Sequence, residues 1–270
     1  MVREVWAVGD AYEAYVGRWS RRVAVAFLDW LDVPAGRKWL DVGCGTGALT
    51  ATILAKADPS QVVGVDPSEG FLANARAQIS DPRATFQAGD AQSLPLTDRS
   101  FDAVVSGLAI NFVPDPQRAM AETTRVAKPG GTAAAYVWDY AEGMELMRYF
   151  WDAATDLDTS VAELAEGYRF PLCQPDRLRS LWTDAGLNKV TAEAIDVPTV
   201  FADFDDYWQP FLGGQGPAPG YVMSLSEAQR DALRNLLRAR LPVGPDGSIA
   251  LTARAWAVKG VAGQQGKPAT

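Results

Sequence analysis

The sequence predicts an α/β fold: a doubly wound, mostly parallel seven-stranded sheet with an N-terminal helical cap and an inserted helical lid. Three observations predict it. Short apolar runs alternate with segments of helical spacing from about residue 37 to 138, the rhythm of parallel strands joined by crossover helices. The first three runs each close at or just before an acid, Asp41, Asp66 and Asp90. Two stretches, 141–172 and 201–247, then interrupt the rhythm before it resumes.

Taken in order, residues 1–36 form the cap, in which Tyr12 to Ser20 carries an aromatic face at helical spacing. A strand at 37–42 runs into Gly43-Cys44-Gly45-Thr46-Gly47 and a helix at 48–57. Strands follow at 61–65, 84–88 and 101–106, with a helix from Ser68 to Ile79 between the first two. Asp115-Pro116 is an N-cap with proline at the first helical position, ahead of Ala119, Met120, Thr123 and Val126. Lys128-Pro129-Gly130-Gly131 predicts a turn before a strand at 132–138, and 37–140 is the ligand-binding core. The inserted lid at 141–172 is helical, with Met144, Met147, Phe150 and Trp151 on one face. The core continues over 173–200 with a helix at 176–185 and a strand at 189–197. The second lid insertion, 201–247, holds a helix capped by Ser226 with Gln229 at the third position and a stripe of Leu233, Leu236, Leu237 and Leu241. The last core strand occupies 248–260, and 261–270 reads as a disordered tail.

A chain of 270 residues, 48% hydrophobic, builds one sizeable core plus an elaboration. A formal charge of −8 argues against nucleic acid, whose binders neutralise phosphates with lysine and arginine. No apolar run reaches the ~20 residues of a membrane span and the first residues lack a signal-peptide core, so the expectation is a cytoplasmic protein, a monomer or homodimer. Cys44 and Cys173 read as free thiols. Histidine is absent, which removes the commonest metal ligand and general base, and no metal is expected.

Alternating glycines after a buried strand bring the main chain close to a bound nucleoside. As a pattern, Gly43 to Ala48 fits a dinucleotide fingerprint equally well, and an acid at Asp66 suits the ribose of either kind of cofactor. Gly89-Asp90-Ala91 adds a third acid, placed to accept from an exocyclic amine. With Asp41-Val-Gly-Cys-Gly-Thr-Gly47, Val65-Asp66-Pro67-Ser68, Gly89-Asp90-Ala91, Phe101-Asp102 and Arg125-Val-Ala-Lys-Pro-Gly-Gly131 in this order, the chain resembles a class I S-adenosylmethionine-dependent methyltransferase with a Rossmann-like sheet. The subgroup is similar to ubiquinone-biosynthesis C-methyltransferases, and the motifs cover roughly half the chain. A sulfonium and an ammonium with no pyrophosphate suit a site lined by acids.

The resemblance implies a methyl group passed from S-adenosylmethionine to a small-molecule acceptor by in-line displacement, leaving S-adenosylhomocysteine. It implies cofactor contacts from Asp41, Gly43, Gly45, Gly47, Asp66, Pro67, Ser68, Asp90, Ala91 and Leu108, and from Tyr15 and Arg18 on the cap, whose other reading is core packing. Similar enzymes often carry histidine near Asn111 and Phe112; this chain departs from that habit. Asn111, Asp139, Tyr140 and Tyr207 are the candidates for acceptor orientation or proton transfer. Trp138, Trp151, Trp208 and Phe211 as a group point to an aromatic or apolar acceptor, while core filling is the favoured reading of any one of them. Two alternatives stay open: a protein that uses S-adenosylmethionine without methyl transfer, and a nicotinamide-dependent oxidoreductase.

Overall fold

The computed structural model describes residues 17–213 and 216–263. Helix α1 (Arg18–Leu31) leads into β1 (Lys38–Val42), α2 (Ala48–Lys56), β2 (Gln61–Asp66), α3 (Glu69–Gln78), β3 (Ala84–Ala88), β4 (Phe101–Gly107), α4 (Pro116–Val126) and β5 (Ala127–Trp138). Then come α5 (Glu145–Leu157), the short α6 (Glu166–Arg169), α7 (Pro175–Asp184) and β6 (Asn188–Phe201). The chain continues through α8 (Phe204–Trp208), α9 (Pro217–Ser224), α10 (Glu227–Arg240) and β7 (Ile249–Val261).

One sheet in the order β3-β2-β1-β4-β5-β7-β6 contains all seven strands. β1 pairs in parallel with β2 and β4, β2 with β3, and β4 with β5. Ala262 exchanges backbone hydrogen bonds with Gly130 and Gly131 near the start of β5, whereas Arg254 accepts from Asp139 just past its end. β7 therefore runs antiparallel to β5. The inner strands are continuous apolar runs, Val62-Val63 and Val104-Val105 among them, because a parallel strand is covered on both faces.

Local chemistry sets the helix ends. Ser68 accepts from the Phe71 amide, and Asp115 from the Arg118 amide one residue before Pro116. Ser226 and Gln229 complete a reciprocal capping box, with Leu233, Leu237 and Leu241 buried and Leu236 half-buried.

Two compact units divide the chain. One comprises the residues up to Arg22, Trp138–Pro171 and Asp196–Ala255; the other comprises Val23–Val137, Leu172–Ile195 and the residues from Trp256. The second has an aliphatic core in which Leu40, Val42, Val104, Met120 and Ala133 meet Trp182 of α7. The Trp182 indole donates to the Ala133 carbonyl at 2.9 Å, so its one polar atom is satisfied inside that core. The first unit is held by rings: Phe150 stacks on Phe211 at 4.5 Å, Trp208 lies 6.1 Å from Phe211, and Trp19 meets Phe201 edge-on at 5.5 Å.

The chain differs from the sequence expectation at three strand ends. Residues 128–131 lie inside β5 as a wide bulge: Phe101 faces Ala127 and Ala103 faces Thr132, so β4 advances two residues while β5 advances five. The Lys128 ammonium closes the bulge on both Asp102 oxygens at 2.9 Å. β6 extends to Phe201, and β7 reaches Val261 with Ala262 still bonded, where a tail was expected. The cause in β7 is the bulge, whose Gly130 and Gly131 present backbone groups that Ala262 satisfies.

The bulge yields a testable contrast. Gly130 has φ +78° with open space where a Cβ would go, whereas a Cβ on Gly131 would stand 2.8 Å from the Lys128 carbonyl and 3.0 Å from that of Asp102. Gly130→Ala is expected to cost about 1 kcal/mol in urea unfolding, the left-handed penalty alone. Gly131→Ala meets backbone that has nowhere to move, and its loss should be clearly larger; equal losses would refute this account.

Candidate functional site

The loop from Gly43 to Gly47 is fixed by β2 next to it. The Gly43 and Cys44 amides both donate to the Val65 carbonyl, at 2.8 and 3.1 Å, and the Gly47 amide donates to the Cys44 carbonyl at 2.9 Å. All three glycines have positive φ, +72°, +53° and +89°, which a side chain would resist. They are not equivalent. A Cβ on Gly43 would lie 2.5 Å from the Ala109 methyl and one on Gly47 2.6 Å from Ile79, so both are packed from behind. A Cβ on Gly45 would meet nothing within 4 Å: it would fill an open cradle.

Asp66 ends β2 and is buried. One carboxylate oxygen accepts from the Gly45 amide and the other from the Ser68 amide, each at 2.9 Å. Ser68 then caps α3, with Pro67 between the two. Beyond β3, the Asp90 side chain is exposed and accepts from the Gln92 amide at 2.8 Å, which holds its carboxyl below the usual carboxylate range. Ala91 packs against the aliphatic core. After β4, Leu108 has φ +59°, a strained conformation for a residue with a side chain, and its amide donates to the Tyr136 carbonyl at 2.8 Å. A short 3-10 turn, Ile110–Phe112, carries Asn111, whose Nδ2 is buried with no hydrogen-bond partner among the described residues. Asp41, the three glycines, Asp66, Pro67, Ser68, Asp90, Ala91, Leu108 and Asn111 thus all belong to the second unit, at or just beyond the carboxyl ends of β1 to β4.

Asp41 is the least ordinary of them. It is fully buried, one oxygen accepts from the Thr50 hydroxyl at 2.7 Å, and the other has no hydrogen-bond partner among the described residues. Burial pushes its carboxyl up to about 7, with the negative charge of Asp66 adding to the effect. The Cys44 thiol is likewise pushed up by burial and stays neutral. Thr50 and Ala109 were not among the sequence candidates. The signal for Thr50 was a hydroxyl in the first turn of the helix after an acid-terminated strand; nothing local marks Ala109.

The remaining candidates lie in the first unit, except Tyr15, which is outside the described residues. Arg18 lays its guanidinium 4.6 Å from the Trp19 ring and 4.7 Å from the Phe201 ring and donates to Asp206 at 2.8 Å, so Asp206 engages its charge. Asp139 is buried and accepts from the Glu142 amide at 3.1 Å; the Tyr140 ring lies 5.7 Å from that of Phe170. Tyr207 is fully buried, donates to the Leu146 carbonyl at 3.0 Å, and is pushed well above the usual phenol range by burial, an environment unsuited to a base. Trp138, Trp151, Trp208 and Phe211 are all buried, and the Trp151 indole donates to Glu166. Among the described residues, no helix is long and apolar enough to cross a membrane.

A pH dependence follows from Asp41. Its folded-state value lies above the ordinary 3.8, so between about pH 4 and 7 the folded protein binds the extra proton and stability falls as pH rises, levelling above about 7. The slope is at most about 1.4 kcal/mol per pH unit. Subtracting the urea-unfolding profile of Asp41→Asn from that of the wild type isolates it. A difference curve that is flat or rises with pH would show that Asp41 is ionised throughout.

A methyltransferase domain model matches residues 40–135, from β1 into β5. A demethylmenaquinone methyltransferase of Shouchella clausii is 32% identical over 178 residues, covering 61% of this chain and 76% of that one. An uncharacterised protein in a Streptomyces fradiae transposon is 29% identical over 223 residues, 73% of this chain, and the match spans only 64% of that relative. Among solved structures, phosphoethanolamine N-methyltransferase 2 of Haemonchus contortus, in complex with S-adenosylhomocysteine and phosphomonomethylethanolamine, shares the fold. It has a TM-score of 0.59 at 19% identity, covering 94% of this chain and 57% of that one. With its strand order, its glycine loop and these relatives, the chain belongs to the class I S-adenosylmethionine-dependent methyltransferases.

Proposed function

We propose that this chain transfers a methyl group from S-adenosylmethionine to a small-molecule acceptor, leaving S-adenosylhomocysteine. One observation carries the reading: the open cradle at Gly45 adjoins an acid, Asp66, whose carboxylate accepts from the Gly45 amide, and among the described residues no lysine or arginine is bonded to it. Such a loop fits a ligand with a sulfonium and an ammonium and is poorly suited to a pyrophosphate, which disfavours a nicotinamide nucleotide.

On this reading the Gly43–Gly47 backbone receives the ligand, and Asp66, already aligned by two amides, accepts from its ribose hydroxyls. Pro67 and Ser68 hold that end of β2. Asp90 and Ala91 flank the adenine, and Leu108 borders it from β4. The bound cofactor supplies a methyl group activated by positive sulfur. The protein's contribution is alignment and exclusion of water, with no general base required. Asn111 has an unused amide donor, which suits it to orient an acceptor oxygen. The acceptor is aromatic or apolar, a reading supported by the Shouchella relative, which is named for demethylmenaquinone.

Calorimetry with S-adenosylmethionine tests the site. Gly45→Val should abolish binding while leaving the circular dichroism spectrum native, because the new side chain fills the cradle. Asp66→Ala should weaken binding by about 2 kcal/mol, the worth of a hydrogen bond to a charged group. Wild-type affinity in the Gly45 variant would sink the assignment, and so would binding of NADH in place of S-adenosylmethionine.

A further inference from the structure

We infer that Gln92 is a positioning residue for donor recognition: its side-chain amide holds the Asp90 carboxylate in the orientation that selects a purine bearing a 6-amino group. This rests on the proposed donor site, in which Asp90 flanks the adenine, and adds to it the group that makes Asp90 selective.

Asp90 follows β3 on an exposed loop, where a short carboxylate ordinarily turns between solvent and its own backbone. Gln92 removes that freedom. Its backbone amide donates to one Asp90 oxygen at 2.8 Å, and its Nε2 donates to both oxygens, at 3.0 and 3.1 Å. These bonds hold the Asp90 carboxyl below the usual carboxylate range, so it is ionised at neutral pH and can only accept. A carboxylate offers roughly four lone-pair sites. Gln92 takes two on the first oxygen and one on the second, which leaves the second oxygen an open position for one more N–H. An exocyclic amine supplies that hydrogen; an oxo group in its place would set oxygen against oxygen.

Gln92 is itself held by the start of α4. Its Oε1 accepts from the Asp115 amide at 3.1 Å, and its backbone carbonyl accepts from the Arg118 Nε at 2.9 Å. Asp115, the cap of that helix, accepts from the Arg118 amide at 2.9 Å and closes the ring of bonds. The orientation of Asp90 is thereby referred to the first turn of a helix and not to its loop alone. The same partners fix which way the Gln92 amide points, since an ionised carboxylate only accepts and a backbone amide only donates. A glutamate of equal length would keep the Asp115 bond and press a second negative charge on Asp90. A methionine would keep the length and give up both bonds.

Calorimetry with S-adenosylhomocysteine and S-inosylhomocysteine, which differ in the amino or oxo group at position 6 of the purine, reads the orientation of Asp90. The wild type should prefer the adenosyl ligand. Gln92→Met should lower that preference roughly tenfold, and Gln92→Glu by at least as much, in proteins whose circular dichroism stays native; either variant decides the matter. In an Asp90→Asn background Gln92→Met should change the preference no further, because the group it acts through is gone. A loop that is merely loosened weakens both ligands alike, so an unchanged preference overturns the inference and leaves the donor site intact. A full effect of Gln92→Met without the Asp90 carboxylate does the same. Equal binding of the two ligands by the wild type removes Asp90 from the adenine, and the inference with it, whereas binding of neither overturns the donor site.

Discussion

The site depends on one carboxylate. Asp66 closes β2 and spends its two oxygens on the Gly45 and Ser68 amides, tying the glycine loop after β1 to the start of α3. Without that clamp, among the described residues the Val65 carbonyl would be the one hydrogen-bond link from the loop to β2. Glycine gives conformational freedom, and freedom costs entropy on ordering; fixed donors and acceptors at each end offset it. Sheet register makes the clamp reachable, because the parallel pairing of β1 with β2 puts the end of β2 alongside the loop.

Much of this was legible in the sequence because the constraint is local. A run of buried residues ending in an acid, then glycines at alternate positions, describes a strand end and a tight loop whatever surrounds them, and Asp41, Gly43, Gly45 and Gly47 stand together for that reason. Asp115-Pro116 and the Ser226-Gln229 box were legible in the same way, since a cap is chemistry between residues three apart. What escaped was set at a distance. Pro129-Gly130-Gly131 looks like a turn, and only the pairing of β5 with β4 and with Ala262 makes it a bulge within a strand. Tyr207 reads as an available phenol until its hydroxyl is found on the Leu146 carbonyl, sixty-one residues earlier in the chain. Thr50 becomes part of the site only because α2 folds back over Asp41.

The two units rest on different physics. The second is aliphatic, and two of its buried polar groups hold backbone: the Trp182 indole a strand carbonyl, and Asp66 two amides. The first is aromatic: Tyr207 donates to the Leu146 carbonyl and Trp151 to Glu166, whereas the buried Trp19 and Trp138 indoles have no hydrogen-bond partner among the described residues. The directional chemistry is concentrated at the ends of β1, β2 and β4.

That division bears on how a chain without histidine can carry out a group transfer. Acid–base catalysis ordinarily needs a group that titrates near neutrality, and histidine is the side chain that does so unperturbed. Here the carboxyl that burial moves toward neutrality, Asp41, lies wholly inside the protein with no access to solvent, which rules it out as a proton shuttle for an acceptor. A reaction whose leaving group is already positively charged needs little acid–base help: the electrophile is activated before it binds, and discharge of the sulfonium is the largest electrostatic change in the cycle.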